Sequence, residues 1–142
     1  MKVREARAAD FVSVKAMLSD AGLPTEDFVA EHLAFVAEDN GRVVAAVGFQ
    51  RFGNVGLLRS LVVEEGTRFK GLGRDLVIAL EAQAREQGVR EIWLLTSGVD
   101  AYFVGLGYET RDRSAAPPAI RGTAEFDQLC PDDATLMAKN LG

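Results

Sequence analysis

In the run Arg68-Phe69-Lys70-Gly71-Leu72-Gly73-Arg74, three cations flank two glycines at the point where a helical pattern begins. Glycines there let the backbone come close to a ligand. The unsatisfied N–H groups of a first helical turn point outward, with the positive end of the helix dipole behind them. Arg68, Lys70 and Arg74 beside those donors complete a cradle for an anion, and phosphate is the guest that suits it. Two commoner phosphate motifs do not fit. Leu76 stands where the dinucleotide pattern wants its last small residue, and no Lys-Ser or Lys-Thr follows a glycine as in a P-loop. The alternative is that Gly71 and Gly73 only shape a tight helix start among solvated charges.

A second group of residues could handle protons and carboxylates. Arg59 is a charge within Leu57-Leu58-Arg59-Ser60-Leu61-Val62-Val63, a run that otherwise reads as buried, and a buried arginine needs a partner. That partner is either an Asp or Glu of this chain or a carboxylate held bidentately on a small ligand, with Ser60 or Arg121 assisting. Period-2 alternation puts Arg59 and Ser60 on opposite faces of a strand. Candidate bases are Glu38, Glu64 and His32, the single imidazole, each with a plainer reading: surface carboxylates for the first two, and a packed or surface ring beside Phe28 and Phe35 for His32.

The elements that would position these residues can be read along the chain. Val3 to Ala6 suits a first strand. Asp10 offers an N-cap before a helix with Phe11, Val14, Met17 and Leu18 on one face, stopped by Gly22-Leu23-Pro24. Asp27 to Phe35 reads as a shorter helix. Ala34 to Glu38, Arg42 to Arg51 and Val55 to Val63 then form a strand meander with turn signals at Asp39-Asn40-Gly41 and Gly53-Asn54. Gly71 to Gln87 is a helix with Leu72, Leu76, Ile78, Ala79 and Leu80 inward, closed by Gly88. Glu91 to Thr96 is an apolar strand, Asp100 to Leu106 a short helix, and Tyr108 to Arg111 and Ala134 to Asn140 the last strands. This order is α+β with a mixed sheet.

The 142 residues allow one domain, 1–142, with one sizeable core. A net charge of −5 argues against nucleic acid or an anionic membrane as partner, so any anionic ligand must be held locally. Cys130 is the single cysteine, which excludes an internal disulfide and a thiol-rich metal site. A charged N-terminus and the lack of a long apolar run point to the cytoplasm.

Arg68-x-x-Gly71-x-Gly73 after an apolar strand, the strand Glu91 to Thr96, and Ala101-Tyr102-Phe103-Val104-Gly105-Leu106-Gly107-Tyr108 resemble the GCN5-related N-acetyltransferases, from Arg4 to Leu141. Leu57 to Val63 and Ala119-Ile120-Arg121-x-Thr123-x-Glu125-Phe126-x-x-Leu129-Cys130-Pro131 resemble the branch associated with bacterial arsenic-resistance clusters. The resemblance implies a mostly antiparallel central sheet of six to seven strands with about four helices and a V-shaped splay between strands 4 and 5. It implies acetyl-CoA as co-substrate, without a metal. The pyrophosphate would sit on Arg68 to Arg74, the pantetheine arm would pair with the backbone of Leu61, Val62 and Val63, and Thr96 and Phe103 would border the cofactor. A backbone N–H near Val62 or Val63 would take the oxyanion. Phe103 stands where the family often has a tyrosine to protonate the leaving thiolate, and Tyr102 is a neighbouring substitute. The partner implied is a small, amino-acid-like amine, with an arsenical or a glutamate-mimicking toxin such as phosphinothricin as candidates, and family members are often dimers. A CoA-binding sensor that has lost its chemistry is the alternative.

Overall fold

The computed structural model describes residues 2–23, 25–64, 71–123, 126 and 134–142. Its strands are β1 (Lys2–Glu5), β2 (Leu33–Asp39), β3 (Arg42–Phe52), β4 (Val55–Val63), β5 (Glu91–Thr96), β6 (Glu109–Arg111) and β7 (Thr135–Asn140). Its α-helices are α1 (Phe11–Asp20), α2 (Leu72–Glu86), α3 (Asp100–Gly105) and α4 (Pro118–Arg121). The strands form one seven-stranded sheet in the order β1-β2-β3-β4-β5-β7-β6. The described ladders are antiparallel except between β4 and β5, which run parallel through Val55–Glu91, Gly56–Ile92 and Leu57–Trp93. The fold is thus the mixed α+β sheet expected from the element order. β7 is internal to the sheet, bonded to β5 on one side and β6 on the other, so the apolar run at 134–138 is spent inside the chain.

The chain divides into two compact units, Met1–Phe49 with Arg59–Gln83, and Gln50–Leu58 with Ala84–Gly142. Among the described residues, each unit holds a buried apolar cluster. In the first unit Val14 and Leu18 of α1 and Phe28 pack with Val36, Ala46 and Val62 from three strands. In the second, Leu57, Trp93, Leu136 and Ala138 of the sheet pack with Ala116 and Ile120. Each buried aliphatic side chain contributes on the order of 2 kcal/mol by leaving water.

Three local expectations are corrected. The spacing of Phe28, His32 and Phe35 suggests a helix, yet only Ala30–His32 makes a helical turn, and a tight 3₁₀ one, before β2 begins at Leu33. Phe28 and Phe35 are buried at apolar positions on either side of that turn, which imitates a helical period. On α2 the buried stripe is Leu72, Leu76, Val77, Leu80 and Ala84, while Ile78 is 48% exposed. Ile78 lies two residues, about 200°, around the helix from Leu76. Asp10 does not cap α1 with its side chain. Its carboxylate instead accepts from the Arg7 N–H at 2.7 Å and from Arg4, whose Nε also donates to Glu38 at 2.9 Å. Arg4 therefore ties β1 both to β2 and to the turn before α1.

Candidate active site

In the first unit Asp27, Ser60 and His32 gather at Arg59. Its side chain has no exposed surface, and its two terminal nitrogens donate to Asp27 Oδ2 and Oδ1 at 2.6 and 2.7 Å. The guanidinium lies 5.8 Å from the ring centre of Phe28, which is also stacked on Phe11. Asp27, 23% exposed, is the member of the pair that reaches solvent. Arg59 holds the Asp27 carboxyl below its ordinary range, first through these hydrogen bonds. Of the two sequence alternatives for Arg59, the internal ion pair is therefore present.

Ser60 corrects the reading of alternating faces. It has φ 58°, a left-handed conformation inside β4, and this breaks the period of two. Arg59 Nε then donates to Ser60 Oγ at 3.2 Å, joining side chains expected on opposite faces. His32 belongs to the same neighbourhood, its ring centre 6.2 Å from that of Phe28. Burial, and then the positive charge of Arg59, push the imidazole below its ordinary value, so His32 is neutral at pH 7. Its Nδ1 accepts a long bond, 3.4 Å, from the Val29 N–H.

The other two carboxylate candidates are committed to arginines. Glu38 on β2 is bound by Arg4, and Glu64, just past β4, is bound by Arg42, which lowers the Glu64 carboxyl. Beyond Glu64, the expected contacts Arg68, Phe69 and Lys70 lie outside the described residues. The described part of the cradle starts at Gly71, which has φ +73° and open space where a Cβ would stand. The first hydrogen bond within α2 runs from the Asp75 N–H to the Gly71 carbonyl at 3.0 Å. The N–H groups of Leu72, Gly73 and Arg74 precede it and have no partner within the helix, the donor set an anion needs.

In the second unit Thr96 is buried at the end of β5, opposite Thr135. Phe103 on α3 is buried at 5% exposure, edge-on to Tyr102 and Tyr108 at 5.3 and 5.9 Å, whereas Tyr102 is 43% exposed. Arg121 ends α4 with its side chain exposed. No helix of the described residues is long and apolar enough to cross a membrane, and none of their His, Cys, Asp and Glu side chains group as a metal site.

The model of the Acetyltransferase (GNAT) family matches residues 3–103. The chain belongs to the GNAT acetyltransferases. An uncharacterized N-acetyltransferase of Chlorobaculum tepidum, CT2212, is 32% identical over 98% of this chain and 96% of its own. Among solved structures, Rv2747 from Mycobacterium tuberculosis in complex with CoA matches with a TM-score of 0.84 and 20% identity, over 99% of both chains. N-acetylglutamate synthase from Neisseria gonorrhoeae, complexed with CoA and N-acetyl-glutamate, also reaches 0.84 at 17% identity. This chain covers 35% of that one.

This GNAT protein is thus an acetyl-CoA-dependent N-acetyltransferase. Two residues of the candidate site do not stand out in the sequence reading. Asp27 falls at the start of the helical spacing that runs to Phe35, and its signal is only indirect, through the carboxylate partner a buried arginine calls for. Gly48, in the middle of β3, carries a clearer signal, because an isolated strand glycine marks close backbone approach. A Cβ there would stand 2.9 Å from the His32 carbonyl oxygen and 3.1 Å from that of Arg59.

Proposed function

We propose that this acetyltransferase, acting as a single domain over residues 1–142, acetylates the amine of a small amino-acid-like molecule. The observation that carries this reading is the grouping of a buried Arg59–Asp27 pair, Ser60 and a neutral His32 in one unit with the end of β4. N-acetylglutamate synthase, a structural neighbour, is complexed with an acetylated amino acid, which favours the same acceptor class.

In this reading the pyrophosphate of acetyl-CoA rests on Arg68 to Arg74, and the pantetheine arm pairs with the backbone of Leu61 to Val63 as an added strand. A free amine attacks the acetyl carbonyl, and a backbone N–H near Val62 or Val63 receives the oxyanion. Ser60, whose hydroxyl accepts from Arg59 Nε and keeps its own proton to donate, recognises the acceptor's carboxylate end, while Arg59 itself stays bound to Asp27. His32 takes the amine proton, directly or through water, because it is uncharged at pH 7 while Glu38 and Glu64 are held by arginines. The C–S bond breaks to give CoA thiolate. With Phe103 in place of a tyrosine, water protonates that thiolate, whose ordinary pKa of about 8.5 already makes it a fair leaving group. The protein works in the cytoplasm. Its arsenic-cluster resemblance narrows the acceptor to an organoarsenical amine or a glutamate mimic.

The test is to follow thiol release from acetyl-CoA with glutamate, other amino acids, phosphinothricin and an amine-bearing arsenical. Turnover confined to carboxylate-bearing amines is expected. Tight acetyl-CoA binding with no release on any of them would replace this reading with a CoA-binding module. Gly71→Val should weaken CoA binding about tenfold or more, since a β-branched residue resists φ +73°.

A further inference from the structure

Ser60 is the one non-glycine residue inside a described strand with a left-handed backbone. That conformation is strained for an L-residue, so something must hold it. The residues around it leave Arg59 no freedom. Its side chain is fully enclosed, Asp27 grips both terminal nitrogens, and Phe28 covers its face. Gly48 lets β3 close onto it, since even a Cβ would approach the Arg59 carbonyl oxygen at 3.1 Å and Cγ at 3.3 Å. From this fixed position Arg59 Nε donates to the Ser60 hydroxyl. A left-handed residue within a strand turns the peptide groups after it, and such irregularities re-aim the next residues of the strand.

We propose that Asp27 and Arg59 are positioning residues for acetyl transfer: their ion pair holds the Ser60 kink, and the kink sets the direction of the one backbone N–H near Val62 or Val63 that meets the acetyl carbonyl. The proposal rests on the reading that the acetyl group lies at the end of β4. Neither side chain touches the reacting atoms; both act through the Ser60 backbone. Asp27 lies 32 residues before Arg59, so one ion pair ties the segment ahead of β2 to β4.

The experiment uses the full chain labelled with ¹⁵N, with acetyl-CoA and CoA as probes. In the wild type the Ser60 three-bond HN–Hα coupling should be that of a left-handed residue. The Leu61 to Val63 amides should shift differently with acetyl-CoA than with CoA. In Asp27→Asn, which keeps shape but removes a charge, the acetyl-specific shift should fall by about half or more while CoA affinity stays within about threefold, because phosphate contacts are elsewhere. Adding Ser60→Gly should recover the acetyl-specific shift, because glycine takes positive φ without strain. An Asp27→Asn protein with an unchanged Ser60 coupling and unchanged acetyl-specific shifts would overturn the proposal. So would a loss that Ser60→Gly does not recover, which would mark the pair as structural only. Wild-type protein that binds neither probe would refute the cofactor reading instead, and the Ser60 coupling in Asp27→Asn would still decide whether the pair holds the kink.

Discussion

Strands β4 and β5 lie side by side in the sheet order but are built in opposite ways. β5 pairs with β7 through six consecutive residues, from Glu91–Asn140 to Thr96–Thr135, and its Trp93 indole donates within the strand to Glu91 at 3.1 Å. β4 carries a fully enclosed arginine and a left-handed serine in its second half. A regular ladder with apolar faces stabilises the fold. The bent strand spends stability on a charge pair and a strained backbone, the kind of local inconsistency expected where a protein does its chemistry.

That contrast can be broken most forcefully from the regular side. Trp93→Ala on β5 should cost about 4 kcal/mol in a denaturant melt by opening the second unit's core, while thiol release per folded molecule stays near wild type. Arg59→Ala should cost less stability, about 3 kcal/mol, because the Asp27 it strands is partly exposed and can hydrate. Unlike Trp93→Ala, it should also remove acetyl transfer. Equal losses of stability and activity in both variants would erase the distinction.

Acid sharpens it further. The Asp27 carboxyl is lowered in the fold, so the pair contributes fully above the unfolded value of about 3.9 and is lost as pH falls through the lower folded value. His32 is lowered as well, so the fold loses stability as pH drops below the unfolded value of about 6.5. His32→Gln should flatten the melting-temperature profile between neutral and mildly acid pH, and Asp27→Asn should flatten it below about pH 4. The smallest effect belongs to the exposed Arg42–Glu64 pair. Glu64→Gln should leave the melting temperature unchanged within error.

Much of this was legible beforehand because it depends on short-range pattern. The bounds of β4 and β5, Val55 to Val63 and Glu91 to Thr96, follow from apolar runs between turn residues and agree with the structure residue for residue. Gly88 closes α2 as read, with φ +86° and the Val89 N–H returning to the Ala84 carbonyl. The buried arginine was legible as a charge needing a partner, but which carboxylate answers it depends on a fold-back of the chain that no local pattern encodes. The Ser60 kink was not legible either. Serine has no preference for positive φ, and only its surroundings put it there.

The internal place of β7 has a consequence for how the second unit comes into being. β5 emerges from the ribosome with one long edge open, and the strand that closes it arrives only after α3, β6 and α4. During synthesis the Ile92-Trp93-Leu94 edge is a template for mispairing until Leu136-Met137-Ala138 is made, so this half closes only once its last strand is available.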